Sequence, residues 1–496
     1  MKKVPCLAKP IFWALACVAV VTYLSGCTQH NQSQGISSAH GINGSLGKES
    51  KYSHKKLPDI KKRSQDSETR LASSSKTRKL SKERCKYKSS FVPYGKVRPI
   101  ATSLPVDKKC VVKSLPASRR IAWKQAGGTE TNNPGHLRLN SVTGQSSWKI
   151  KAVCAVPGNF AKKKIPVTSR PVTTNDRIFA YDPNGNVSAH SLPNGRNLWI
   201  TNVKPEKTFN AAVSGGIATD GNLVYLATGF RSVVALNADT GKRVWTKKLS
   251  VPAHGSPAVG GGKVYIVTRG NDVVALNISD GSEVWKFRGV PEIGSVLGSV
   301  SPAISGNYLV APLTSGEIVV LDSRTGRLIW SFVLSSATSV HSISGLVDIS
   351  ASPVLSEGII YVTGIVGRTA AFELKTGQKL WEEELGSQYT PIVAGNTLFI
   401  LSLDGVLSAL NKRTGDLIWS LRLPRHLNDE GISWTGPVLA GGKLWLTSNL
   451  GKLIAVNADS GRFFSHFKGR PSLISPIVAG GKLFVLDEFG VLEAFN

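Results

Sequence analysis

The chain repeats itself. From about residue 170 onward a short grammar of residues recurs at intervals of roughly 40 to 50 residues, a period that belongs to units of one small antiparallel sheet each. Gly262-Lys263-Val264-Tyr265 leads to Val273-Val274-Ala275-Leu276-Asn277, then Asp280-Gly281 and Trp285. The same order returns at Val224-Tyr225, Val234-Ala235-Leu236-Asn237, Thr240-Gly241 and Trp245. Further copies end on Thr325-Gly326 and Trp330, Thr376-Gly377 and Trp381, and Thr414-Gly415 and Trp419. An earlier copy runs through Ala189 and Asn194-Gly195 to Trp199. The copy with Ala455-Val456-Asn457, Ser460-Gly461 and Phe464 has lost its Trp.

Short runs of Val, Ile, Leu and Tyr read as strands, and the Asn, Asp, Thr and Gly between them as tight turns in which Gly supplies a positive φ. Asp239, Asp280, Asp322 and Asp459 fall in those turns and are expected to cap backbone N–H groups. Each unit opens on Ser-Pro or an equivalent, as at Ser256-Pro257, Ser301-Pro302 and Ser352-Pro353. Proline at the first strand position costs no ladder bond. Leading strands are expected near Pro171, Gly216, Pro257, Pro302, Pro353, Pro391, Pro437 and Pro476. One such sheet cannot bury both faces, so the units must stack radially, with Trp199, Trp245, Trp285, Trp330, Trp381 and Trp419 filling the gaps between them.

The expected fold is therefore all-β, an eight-bladed β-propeller. Its last unit stops at Asn496 and lacks a fourth strand, while the missing turn, Gly and Trp lie far upstream in Thr143-Gly144-Gln145-Ser146-Ser147-Trp148. A strand around Trp148 is expected to complete the last blade against residues 491–495 and remove the open edges.

The N-terminus reads as an export address. Lys2 and Lys3 precede a short apolar run over residues 11–21, too short to span a bilayer, and then Leu24-Ser25-Gly26-Cys27. Those four residues resemble a bacterial lipobox, which implies a signal peptide over 1–26, a lipid on Cys27 and anchoring without a transmembrane helix. Thr28 rather than Asp follows the Cys, which implies the outer membrane, with the chain facing the periplasm.

Half of the charge sits in one stretch. The net charge is +29, and residues 28–120 hold 22 Lys and Arg against six Asp and Glu. That stretch is also rich in Ser and Gly, so residues 27–118 read as a disordered basic tether ahead of a propeller over 119–496. Its bland role is a solvated spacer; its sharper role is contact with anionic lipid or cell wall. Nucleic acid is not an expected partner of an exported chain.

Of the six cysteines, Cys6 and Cys17 leave with the signal and Cys27 carries lipid, so Cys85, Cys110 and Cys154 remain. Three thiols cannot all pair with one another. Cys85 with Cys110 can close a loop in the basic segment, which leaves Cys154 buried or free. No Cys-x-x-Cys occurs, and no two His are spaced i, i+4, so no redox motif, zinc helix or other metal site is expected.

The pattern Ala-Leu-Asn-x-x-Thr-Gly-x-x-x-Trp resembles the tryptophan-docking repeat of quinoprotein-like propellers. Together with the lipobox and eight blades, residues 120–496 resemble the BamB family of bacterial lipoproteins, and Trp123-Lys124-Gln125-Ala126-Gly127-Gly128 and His136 look like a lead-in found in some of its members. The resemblance implies a non-catalytic scaffold without a cofactor, which binds an outer-membrane barrel-assembly protein and its complex, and extended, unfolded barrel strands by β-augmentation. It also implies a partner site on two long inter-blade loops, carried here by Ile293, Ser295 and Leu297 and by Leu346 and Asp348. Arginines common in those loops of the family have no counterpart, since Leu297 and Gly345 stand in their places. Two other classes compete. A quinoprotein dehydrogenase would need a Ca²⁺ site, a catalytic Asp and usually a vicinal Cys-Cys pair, and no two Cys are adjacent here. A sensor or cell-wall-binding propeller needs none of these.

Overall fold

Each repeat becomes one antiparallel sheet in the computed structural model. It describes residue 112 and residues 114–496, apart from 155, 158–163, 209, 213, 292–299, 335–348, 350, 366 and 425–430. The expected export signal, Cys27, and the basic segment up to residue 111 lie outside the described residues.

All regular structure among the described residues is β-strand, arranged as eight four-stranded sheets and one two-stranded ribbon, Val156–Pro157 with Lys164–Ile165. The eight innermost strands begin with Val172, Gly215, Ala258, Ala303, Val354, Ile392, Trp434 and Ile477. In most blades the proline stands one residue ahead of the strand, where its missing N–H removes no pairing. The sheets are the blades of an eight-bladed propeller, numbered 1 to 8 from Val172 onward.

Burial follows position in the blade. The middle strand Ser232–Asn237 of blade 2 is buried almost throughout, whereas the outermost strand, Arg243–Lys248, alternates exposed residues with a buried Trp245. Every outermost pair carries a register irregularity beside the docking position, as between Ala235, which faces Trp245, and Leu236. A bulge there twists the edge strand and aims its side chain at the next blade. Hydrophobic clusters fill the gaps between neighbours, for example blades 1 and 2 around Val172, Ile217 and Trp199, and one cluster fills both gaps beside blade 8.

The ring closes as the chain pattern requires. Ser146–Lys151 pairs antiparallel with Val491–Phe495, placing Trp148 opposite Ala494 and Ile150 opposite Leu492. Blade 8 thus takes its outer strand from the N-terminal side of the chain.

The blade 7 copy lacks its Trp: Ser465 lies opposite Ala455 in that register, and Phe464 is 55% exposed. Two expectations change. Cys154 is neither free nor merely buried; it is disulfide-bonded, with its partner outside the described residues. Of the four turn acids, Asp280 and Asp322 accept backbone N–H groups from Ser282 and from Arg324 and Thr325. Asp239 instead pairs with Arg177 at 2.9 Å, and Asn237 caps that turn through the N–H groups of Asp239 and Thr240.

Candidate functional site

The docking geometry fixes which surfaces the propeller can offer. Each indole of the outer strands lies on the turn glycine of the next blade: Trp199 on Gly241, Trp245 on Gly281, Trp285 on Gly326, Trp330 on Gly377, Trp381 on Gly415, Trp419 on Gly461 and Trp148 on Gly195. A Cβ at Gly241 would stand 2.6 Å from the Trp199 ring, and φ there is +70°, so no other residue fits. Six of the indoles donate Nε1–H to a backbone carbonyl of the following blade at 2.9–3.2 Å. The Nε1 of Trp148 at the ring seam is buried without a partner. All seven side chains are spent on blade contacts.

One face of the ring is covered by the chain itself. Residues 123–140 run around the channel mouth and meet the innermost strand of each blade in order. The carbonyls of Trp123 and Lys124 accept from Thr173 and Thr219 of blades 1 and 2. The Gln125 side chain pairs with Val259 of blade 3 in both directions, at 2.8 and 3.1 Å, as a strand would. Glu130 and Thr131 accept from Ile304 and Leu355 of blades 4 and 5. Asn133 Oδ1 accepts from Val393 of blade 6, Leu137 bonds Leu439 and Gly441 of blade 7, and Asn140 donates to Gly481 of blade 8.

This clasp satisfies inner-edge donors that a propeller otherwise leaves to solvent. Its turn needs two glycines: a Cβ at Gly127 would stand 2.4 Å from Asn132 Oδ1, and Gly128 has φ +89°. Asn132 is fully buried, and its Nδ2 donates to the carbonyls of Ser301, Pro302 and Pro353. Arg170 donates to Ala126 O at 3.0 Å, and desolvation lowers its pKa to about 10. The clasp lies outside the repeat, so no periodicity marked it; the glycine pair beside Trp123 was its only local signal. Beside it, Lys124, Gln125, Glu130, Asp220 and Gly261 line a cleft of about 460 Å³.

The strand ends that flank the long connections between blades lie, by antiparallel order, at the other end of each blade from the turns that the clasp touches. Ile293, Ser295, Leu297, Leu346 and Asp348 fall outside the described residues. Their described flanks combine anchoring and exposure. Val300, Leu334 and Ile349 are buried in the blade cores, while Val290 is 68% exposed and Val333 50% exposed.

A family model described as outer membrane protein assembly factor BamB matches residues 183–420 and 403–496. The chain belongs to the BamB family. It is 32% identical over 336 residues to the BamB of Escherichia coli K12, covering 66% of this chain and 82% of that protein. It is 33% identical to the BamB of Salmonella typhimurium, with 60% and 76% covered. Among solved structures, the BamB of Moraxella catarrhalis superposes with a TM-score of 0.59 at 22% identity, over 70% of this chain and 99% of that one. A quinohemoprotein alcohol dehydrogenase from Pseudomonas putida HK5 reaches the same TM-score at 14% identity, over 76% and 80%. Likeness at that identity concerns the fold alone.

Among the described residues of this BamB-family chain, no three His, Cys, Asp or Glu are grouped so as to hold a metal ion. At the clasp, the buried Asn132 amide is committed to three backbone carbonyls of blades 4 and 5.

Proposed function

We propose that this chain is a non-catalytic, lipid-anchored scaffold of outer-membrane protein assembly, held to the periplasmic face of that membrane through Cys27. Family membership carries the reading, supported by a propeller whose docking tryptophans and inner-strand edges are already engaged. What remains for partners is the face of long inter-blade connections and the outer strand edges. On that face, the loops holding Ile293, Ser295 and Leu297 and Leu346 and Asp348 bind a barrel-assembly protein, with apolar burial replacing the arginine contacts of other family members. Extended barrel strands add to the free outer edges.

The test is to purify the acylated chain from outer membranes and identify what accompanies it. An outer-membrane barrel protein with periplasmic domains is expected, and its loss on changing Leu297 and Leu346 together to Asp, in a folded variant, locates the contact. Retention of that partner at wild-type level places the site elsewhere, and recovery of no such protein defeats the scaffold reading.

A further inference from the structure

Blade 7 differs from its neighbours where the docking Trp is absent. Its outermost strand, Phe463–Lys468, begins with two exposed aromatics, Phe463 at 37% and Phe464 at 55%. In blades 2 to 5 the residue matching Phe464 is an exposed aliphatic one, Val244, Val284, Ile329 or Leu380. The Lys443 ammonium stands over the Phe464 ring, 4.2 Å from its centre, and His466 lies beside Phe463 at 6.4 Å. Arg462 precedes the pair and is exposed. Neither Lys443 nor Arg462 meets a carboxylate among the described residues; Asp459 is the acid of the adjoining turn.

The basic segment joins the propeller at this same turn. Val112 donates its N–H to Asp459 O at 3.1 Å, and its side chain is buried in the core of blades 6 and 7. Val112, which follows the Lys- and Arg-rich stretch, therefore meets blade 7 at the turn that precedes Arg462, Phe463 and Phe464.

Aromatic rings flanked by uncompensated cations suit a surface that is apolar just below a layer of negative charge. We propose that this patch of blade 7 docks the propeller onto the anionic bilayer in which Cys27 is anchored, a role that rests on the lipid-anchor reading. The rings enter the interface, and Lys443 and Arg462 meet lipid phosphates. The contact fixes one side of the propeller toward the membrane instead of leaving it to hang on a long tether.

The test uses residues 27–496 made without the signal, so that Cys27 stays unacylated, and sedimentation with vesicles. Binding to phosphatidylglycerol–phosphatidylethanolamine vesicles is expected to fall ~10-fold when Phe463 and Phe464 are both changed to Ser. The thermal transition should stay in place, since both rings are exposed. Lys443→Glu with Arg462→Glu should weaken binding to these vesicles and leave the slight binding to phosphatidylcholine unchanged. The tether is intact in every variant, so its own attraction cancels from the comparison. Equal partition of the Phe463→Ser/Phe464→Ser variant and its parent overturns the proposal. So does a variant that keeps vesicle binding yet loses a co-purifying protein. Fatty-acid labelling of the full chain against Cys27→Ala tests the anchor separately; failure there leaves the vesicle result standing by itself.

Discussion

Phe467 of blade 7 packs on Gly144 of blade 8, the position at which the other blades receive an indole. A Cβ on Gly144 would stand 2.3 Å from Phe467 Cδ1, and φ at Gly144 is +85°. The Phe467 ring also stacks on Trp445, at 6.1 Å and 18°. Two residues further along the strand than the usual Trp, a phenylalanine reaches the same gap because Ser465 leaves it open.

Gly144→Ala should therefore destabilise the propeller by about 2 kcal/mol, from the positive φ and the clash together. Phe467→Ala should cost a similar ~2 kcal/mol through the void it leaves. In the double variant the clash disappears, so the two losses should sum to less than their parts. Denaturant titration of the four proteins measures this, and strict additivity would deny the contact.

Removing residues 491–496 takes away the partner of Ser146–Lys151 and the centre of blade 8. Two strand edges then open at once. The expected result is loss of cooperative thermal unfolding and a tendency to associate, read by calorimetry and light scattering. An unchanged transition would refute the seam.

Asn132→Ala removes three hydrogen bonds to buried carbonyls of blades 4 and 5. A loss of about 2–3 kcal/mol follows if the carbonyls stay dry. The sharper readout is local: the amides of Ile304 and Leu355, which donate to the clasp carbonyls of Glu130 and Thr131, should exchange with deuterium faster. Unaltered protection there would mean the clasp is held without Asn132.

His190 and His254 are buried, and desolvation pushes both down to about 4, with Arg269 adding to the effect at His254. Unfolded imidazoles protonate near the ordinary 6.5 while the folded ones stay neutral, so the unfolded state takes up more protons as pH falls. Stability should be flat above pH 7, decline between about 6.5 and 4 by up to ~1.4 kcal/mol per pH unit for each histidine, and level off below as far as these two groups act. Replacing His190 and His254 by Gln should flatten that limb in a pH series of denaturation midpoints. A limb of equal slope in the variant would assign it to carboxylates.

Blade number, strand starts and the seam were legible in the chain because each is written locally. Ser256-Pro257, Asp280-Gly281 and Trp285 specify a strand start, a turn and a docking side chain within thirty or so residues, and the next repeat supplies the complementary glycine. Thr143-Gly144 and Trp148 were readable at a distance only because they are the pieces the last repeat lacks. The partner loops were readable only through resemblance, since Leu297 and Leu346 stand in stretches with no repeat to align them.

Tertiary structure alone decided the rest. The clasp pairs Gln125 with Val259 and Asn132 with Pro353, separations of 134 and 221 residues that no pattern in the chain records. Phe467 takes the place of a Trp from outside its register, which depends on the shape of the gap rather than on spacing. The bonded state of Cys154 and the meeting of Val112 with the turn before Phe463 likewise arise only when distant segments are folded together. A repeat fixes what each blade does to its neighbour, whereas a segment that touches all eight blades has its partners set by the closed ring.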